Sequence, residues 1–328
     1  MTSRINIALN KLNSKGIECG ILLKPENIYY LTDFFPTSKA ALILKENPIL
    51  LVSRMDYQLA EESEVEVEVT ENFGDKLNLK VKKVAVEKKY ASIEFCEKHL
   101  KDKKIYDLNF IQEMRKLKDK GEIKTIKRAA RITEGVIKTV EGELNGKLER
   151  EIAALAEYKI REKTELAFNA IVASDENSAI PHHQPGGKKI TGKVIILDIG
   201  AKVNGYHSDI TRTFFLDKEP ELYPIVLEAQ KAGIKECYAG NNVKNVDLAT
   251  RKVIREYGYE DYFLHSTGHG IGLEIHEPPI LHKKIDGTLE KGMVVTVEPG
   301  IYKDYGVRME DMILVGSKAK LLTRMKKC

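Results

Sequence analysis

The dipeptide Asn204-Gly205, set between KVIILDIGAKV and YHSDITRTFF, constrains this chain more tightly than any other feature. Both central residues of a type I′ turn need φ > 0, which Asn and Gly tolerate best. The apolar runs on either side read as strands, so the dipeptide predicts a hairpin of fixed register. Val203 then faces Tyr206 and, counting outward, Gly200 faces Asp209. Side chains alternate between the faces of a strand, so Asp198 shares a face with Gly200. Asp198 and Asp209 are therefore diagonal neighbours on one face, roughly 7–8 Å apart at the backbone. Two carboxylates aimed at one point in an apolar setting repel each other and are costly to desolvate. A cation between them removes both penalties. The alternative is that one Asp caps a turn and the other faces solvent; ligands elsewhere in the chain would decide between them.

Further acids occur in apolar strands. Glu298 ends MVVTVEPG, where Pro299-Gly300 stops the strand, and parity puts Val294, Thr296 and Glu298 on one face. In VRMEDMILV, Arg308, Glu310 and Met312 share a face while Asp311 points away. His269 lies in STGHG, whose glycines let other groups approach the imidazole closely. Asp198, Asp209, Glu298 and Glu310 together match the formal charge of two divalent cations, and Arg308 could balance a bridging hydroxide. Oxygen-rich ligation with a single imidazole suits Mn²⁺, Co²⁺ or Fe²⁺ better than a sulfur-rich zinc site. Two such ions about 3.5–4 Å apart form a hydrolytic centre that lowers the pKa of bound water. Any one of these acids could be salt-bridged; as a set they favour metal.

The chain has 328 residues, enough for two domains with a sizeable core in each. No apolar run approaches the ~20 residues that span a membrane, and MTSRINIALNKLNSKGIECG lacks the apolar core of a secretory signal. Cys19, Cys96, Cys237 and Cys328 form no CxxC pair and read as reduced thiols of a cytoplasmic protein, with Cys328 exposed. A net charge of +4 with Lys interleaved with Glu gives no reason to expect nucleic acid or membrane as partner. The N-terminal part reads as a small α/β unit: a helix over 5–12, a strand over 20–23, a turn at Pro25-Glu26-Asn27, and a hairpin from AALILK and ILLVS. A strand VEVEV, a strand VKKVAVE and a helix over 92–100 follow. Asp33, Arg54 and Asp56 read as surface or capping residues. The basic stretch MRKLKDKGEIKTIKR marks a boundary, giving domains 1–117 and 118–328. Beyond it come helices to about Val140 and over 148–163, a strand leading into the loop of His182 and His183, and a helical region over 223–257 broken near Gly240. GVRMEDMILV reads as a last hairpin.

LDIGAKVNGYHSDITRTF, STGHGIGLEIHEPP, VEPGIY, VRMEDMILV and, more loosely, FNAIVASDENSAIPHH occur in the order found in the pita-bread metallopeptidases. Over 120–328 the chain resembles that family, especially its prolidase (Xaa-Pro dipeptidase) and Xaa-Pro aminopeptidase branch, and ENIYYLTDF resembles the family's first domain. The resemblance implies an α/β (α+β) protein: a small creatinase-like α/β domain, then a pita-bread catalytic domain with a curved antiparallel sheet flanked by helices. It implies two divalent ions per chain, Mn²⁺ or Co²⁺ before Fe²⁺ or Zn²⁺, on Asp198, Asp209, His269, Glu298 and Glu310, with Asp209 and Glu310 bridging. A metal-activated water would attack the peptide carbonyl with Glu298 as proton shuttle. His182 and His276 would bind substrate and steady the oxyanion, with Arg308 tuning the bridging Glu310. His183 and His265 match no ligand, and Asp175 stands where the family often has Gly. The expected substrate is an Xaa-Pro dipeptide, or a longer peptide if the chain is an aminopeptidase, and the expected state is a homodimer. A non-catalytic peptide-binding member would have lost ligands, and here all five are present.

Overall fold

The computed structural model describes residues 3–77 and 79–327, so Cys328 lies outside the described residues. The chain divides into two compact units, Met1–Arg115 and Lys116–Cys328. In the first, a six-stranded mixed sheet runs in the order Glu66–Val69, Ile49–Val52, Ala40–Leu44, Cys19–Leu22, Lys83–Val86, Lys104–Asp107. AALIL and ILLV form the expected antiparallel hairpin, with Leu42 opposite Leu50. Val84 and Val86 bury against Cys19 and Ile21 in one apolar cluster, each such side chain stabilising the unit by about 1.5–3 kcal/mol.

Two expectations fail in this unit. Pro25-Glu26-Asn27 is the first turn of a helix, Pro25–Thr32, and not a separate turn. Proline suits that position, because the first helical N–H has no intrahelical partner to lose. Of the surface-or-capping reading of Asp56 the surface half fails: the residue is fully buried, although it holds the N-cap position of helix Tyr57–Ala60 without a side-chain bond to that helix. Its carboxylate accepts from Thr37 N at 3.1 Å, Ser38 N at 2.9 Å and Ser38 Oγ at 2.8 Å, and also from Thr37 Oγ1. A short acid is the economical acceptor for backbone N–H groups that leave a loop no other partner. Burial pushes this carboxyl up, but the donated hydrogen bonds outweigh it and hold the pKa below the usual value.

The second unit carries the hairpin. Asn204 and Gly205 have φ of 45° and 77°, and Val203 faces Tyr206. The register carries through to Ile199 opposite Ile210 and Asp198 opposite Thr211. Gly200 is where the strands pass from one sheet to the next, and a Cβ there would meet Ser208 O at 2.0 Å. Ile195, Leu197 and Ile199 bury against helices Lys120–Glu141 and Glu149–Arg161, which turns Asp198 to the opposite face. The first of these helices starts on a capping box between Asp119 and Glu122.

Helices Leu222–Lys235 and Val243–Glu256 pack together where one broken helical region was expected, and the break falls at 236–242. Val295, Val297 and Ile313 pack with Val243 and Val246 of that pair, so Thr296 faces away from them. GVRMEDMILV is not a hairpin. Gly306–Arg308 pairs with Gly300–Tyr302, whereas Asp311–Leu314 pairs with Val294–Val297 in another sheet. The strand is broken at Met309-Glu310, where Glu310 N donates to Thr211 O at 3.1 Å instead of to a ladder partner.

Gly200→Ala should destabilise the protein by about 3 kcal/mol, as an atom forced into packed backbone does, against about 1–2 kcal/mol for the positive φ that Gly205→Ala would strain. Urea denaturation checks the order. Because the Asp56 pKa is lowered by folding, its contribution is present above the unfolded value of about 3.9 and fades as pH falls through the folded value. The stability gap between wild type and Asp56→Asn should therefore narrow below about pH 4, read from denaturation midpoints across pH.

Candidate metal centre

Strand ends bring the acids together. Asp198 comes from Ile195–Ile199, Asp209 from just before Ile210–Phe214, Glu298 from just after Val294–Val297, and Glu310 from the break before Asp311–Leu314. Ligand atoms of Asp198, Asp209 and Glu310 lie within 4.8 Å of one another, and so do those of His269, Glu298 and Glu310. His269 Nε2 is 3.3 Å from Glu298 Oε1 and 3.7 Å from Asp209 Oδ2. Its Nδ1 lies 3.0 Å from Gly270 O, which can only accept, so the proton sits on Nδ1 and Nε2 is turned to the acids. Thr296 Oγ1 accepts from the His269 backbone N at 3.2 Å and donates to Glu298 Oε1 at 3.2 Å, tying the His269 backbone to the Glu298 side chain.

Buried negative charge dominates the electrostatics of this cluster. Asp198 Oδ1, Asp209 Oδ1 and Glu310 Oε1 are buried with no hydrogen-bond partner. Burial and the neighbouring Asp198 drive the Asp209 carboxyl well up, and burial with Asp209 and Glu298 does the same to Glu310. Desolvation would raise Glu298 too, but the hydrogen bond and charge of His269, then His265 and Arg308, bring it down to about 2. Desolvation works against protonated His269, yet Glu298 and Asp209 lift it to about 9. A divalent cation would give the orphaned oxygens a partner and offset the repulsion. The donor set, four carboxylates and one imidazole with no thiolate, fits a hard or borderline ion.

Arg308 is buried and donates to Asp198 Oδ2 at 2.7 Å, Tyr302 Oη at 2.9 Å, Pro181 O at 3.0 Å and Thr211 Oγ1 at 3.2 Å. It acts directly on Asp198 and reaches Glu310 through Thr211, which donates to Glu310 Oε2 at 3.0 Å. His276 is exposed and stacks edge-on against His269, with ring centres 4.2 Å apart. Burial and the nearby His269 lower its pKa. His182 is also exposed, and its charge acts on both His276 and His265.

Several contributors carry no sequence signal of their own. His265 is held by Tyr302 Oη at 2.9 Å, and His183 by Glu149 at 2.9 Å. Asp247 of helix Val243–Glu256 accepts from Thr267 N at 3.1 Å and Thr267 Oγ1 at 2.7 Å, pinning the loop before His269. Glu277, next to His276, forms a buried ion pair with Lys118 at 2.6 Å. Asp175 adopts φ 51° and accepts from Lys193 N at 3.1 Å and Val194 N at 3.3 Å, so its side chain offsets the strain that a Gly would avoid.

Thr211→Val keeps the shape but removes the bridge between Arg308 and Glu310. It should weaken divalent-metal retention about 10–100-fold, measured as metal content after dialysis against graded chelator.

The profile of metallopeptidase family M24 matches residues 124–317, and that of the creatinase/prolidase N-terminal domain matches residues 4–116. The Xaa-Pro dipeptidase of Pyrococcus furiosus is 38% identical, over 99% of this chain and 98% of its own length. Among solved structures, the prolidase of Pyrococcus horikoshii OT3 superposes with a TM-score of 0.95 at 33% identity, covering 99% of each chain. The X-Pro aminopeptidase of Thermotoga maritima MSB8 superposes with a TM-score of 0.86 at 34% identity, covering 95% of this chain and 97% of that one.

Proposed function

The chain belongs to metallopeptidase family M24, and we propose that it is a dinuclear Xaa-Pro dipeptidase that splits the bond between an N-terminal residue and proline. The observation that carries the reading is the convergence of three buried carboxylate oxygens, on Asp198, Asp209 and Glu310, without a protein donor. Asp198, Asp209, His269, Glu298 and Glu310 are the residues that would hold the metal ions. Mn²⁺ or Co²⁺ suits this oxygen-rich set best, and Fe²⁺ or Zn²⁺ also fits it. When bound, the ions supply Lewis acidity at the scissile carbonyl and activate the attacking water.

The remaining work falls to the chain. Glu298 takes the proton from the attacking water and delivers it to the proline nitrogen as the C–N bond breaks. That nitrogen belongs to a tertiary amide and leaves as a secondary amine once protonated, so proton delivery is the step that needs a positioned acid. His276 and His182, both open to solvent, bind the peptide and donate to its carbonyl oxygen as negative charge develops there. Arg308 holds Asp198 through the 2.7 Å ion pair and keeps its second oxygen free for metal.

A cytoplasmic setting agrees with the free thiols of Cys19, Cys96 and Cys237. Among the described residues no helix is long and apolar enough to cross a membrane. A homodimer is proposed on family resemblance. The likeness to the Thermotoga maritima aminopeptidase supports a second reading, removal of the first residue from longer Xaa-Pro peptides.

Chelator-stripped protein restored with Mn²⁺ or Co²⁺ should hydrolyse Met-Pro, and Glu310→Gln should abolish the activity. Cleavage of a Met-Pro-Xaa tripeptide but not the dipeptide would move the assignment to the aminopeptidase. Failure to bind metal would overturn both readings and leave a peptide-binding protein.

A further inference from the structure

We propose that Glu149 and His183 form a positioning pair that fixes the loop presenting His182 to the substrate. Glu149 is the first residue of helix Glu149–Arg161 and is fully buried. Its Oε1 accepts from Ser174 N at 2.7 Å, Ser174 Oγ at 2.8 Å and Asn177 Nδ2 at 3.0 Å. Its Oε2 accepts from His183 Nε2 at 2.9 Å, Asn177 Nδ2 at 3.1 Å and Gly186 N at 3.3 Å. All these donors belong to one stretch of chain, 174–186, with His182 inside it. A carboxylate needed only to satisfy its own helix would not gather donors from both arms of a distant loop.

The other side of the loop is tied to the metal centre. Arg308 Nη1 donates to Pro181 O at 3.0 Å, and Gly306 N donates to Ser178 Oγ at 2.8 Å. The residue before His182 is thus held by the arginine that pairs with Asp198, and the residue after it by Glu149. His182 is exposed between these two anchors. Its backbone direction is set from both sides while the ring stays free to meet a ligand. Displacing a substrate-contacting group by about 1 Å can cost up to about a hundred-fold in rate, so the second anchor matters for turnover without touching substrate.

This inference rests on the reading of His182 as a substrate contact. Its test is a double-mutant cycle on the Mn²⁺-loaded enzyme with Met-Pro, with kcat, KM, metal content and Tm measured for each variant. His183→Ala should lower kcat/KM about ten-fold with metal content unchanged. His183→Gln should recover most of the loss, since its side-chain amide can still donate to Glu149. In a His182→Ala background, His183→Ala should cause no further loss. Glu149→Gln, which puts an amide before His183 and Gly186, should show the same dependence on His182 and serves as the second variant if His183→Ala folds poorly. Losses that multiply independently of His182 would overturn the pairing and make Glu149 and His183 purely structural. An unchanged kcat/KM in His182→Ala, with metal-dependent activity intact, would instead overturn the role of His182 itself.

Discussion

Three carboxylates, on Asp198, Asp209 and Glu310, meet inside the second unit with one oxygen of each left without a protein donor. Bringing them together opposes both desolvation and like-charge repulsion, and Asp209 and Glu310 show it in their raised pKa values. Sheets provide enough rigidity to impose such an arrangement, because Leu197 and Ile199 on one strand, and Val295 and Val297 on another, are locked into helix-covered cores. The same alternation that buries those side chains turns Asp198 and Thr296 toward the site.

The protein also keeps its other charges from quenching this negative centre. Thr211 and Arg212 are adjacent and face opposite ways, as do Glu310 and Asp311. On the far side, Arg212 pairs with Asp311 at 2.8 Å, and Lys327 pairs with the same carboxylate at 2.8 Å. Arg212 Nη1 also donates to Thr211 O at 2.9 Å and Glu310 O at 2.5 Å, holding the two backbones that carry the near-side groups. A cation that could neutralise the site is thereby committed one layer away. On the near side Arg308 is spent on one oxygen of Asp198, leaving Asp198 Oδ1 orphaned. The charge imbalance is local, and removing one of these acids would relieve repulsion at the expense of the proposed cation binding.

How far the sequence reached follows from the range of the rule used. Asn204-Gly205 set a register by φ preference alone, and that register survives the bend at Gly200 as far as Asp198 opposite Thr211. Parity turned Asp311 away from Glu310 even though the strand breaks at Met309-Glu310 and GVRMEDMILV is not a hairpin. The hairpin expectation failed there because both halves are good strand sequence, and only tertiary contacts to Thr211 and Pro299 reveal the break. Asp56 failed for a related reason. Its partners Thr37 and Ser38 lie in a separate loop, and no local pattern shows that an acid will be enclosed by their donors. Glu149, Thr211 and Tyr302 escaped notice because helix-start acids, strand threonines and tyrosines are ordinary in isolation; distance alone makes them part of the site.

A division of labour follows from where each group sits. The acids and His269 come from strands or their immediate ends, in segments stiffened by ladder hydrogen bonds and helix-backed cores. His182 and His276 come from exposed, irregular chain, and each adjoins a residue tied to a buried partner, His183 by a hydrogen bond to Glu149 and Glu277 by its ion pair with Lys118. On the proposed function, rigid elements suit the groups that would share a cation, whereas loops suit the groups that would admit and release a peptide. Loops alone are too loose to orient a hydrogen bond to a developing oxyanion. Anchoring the residues beside these histidines to buried partners holds the backbone of both loops while leaving both imidazoles open to solvent, as the proposed substrate contacts require.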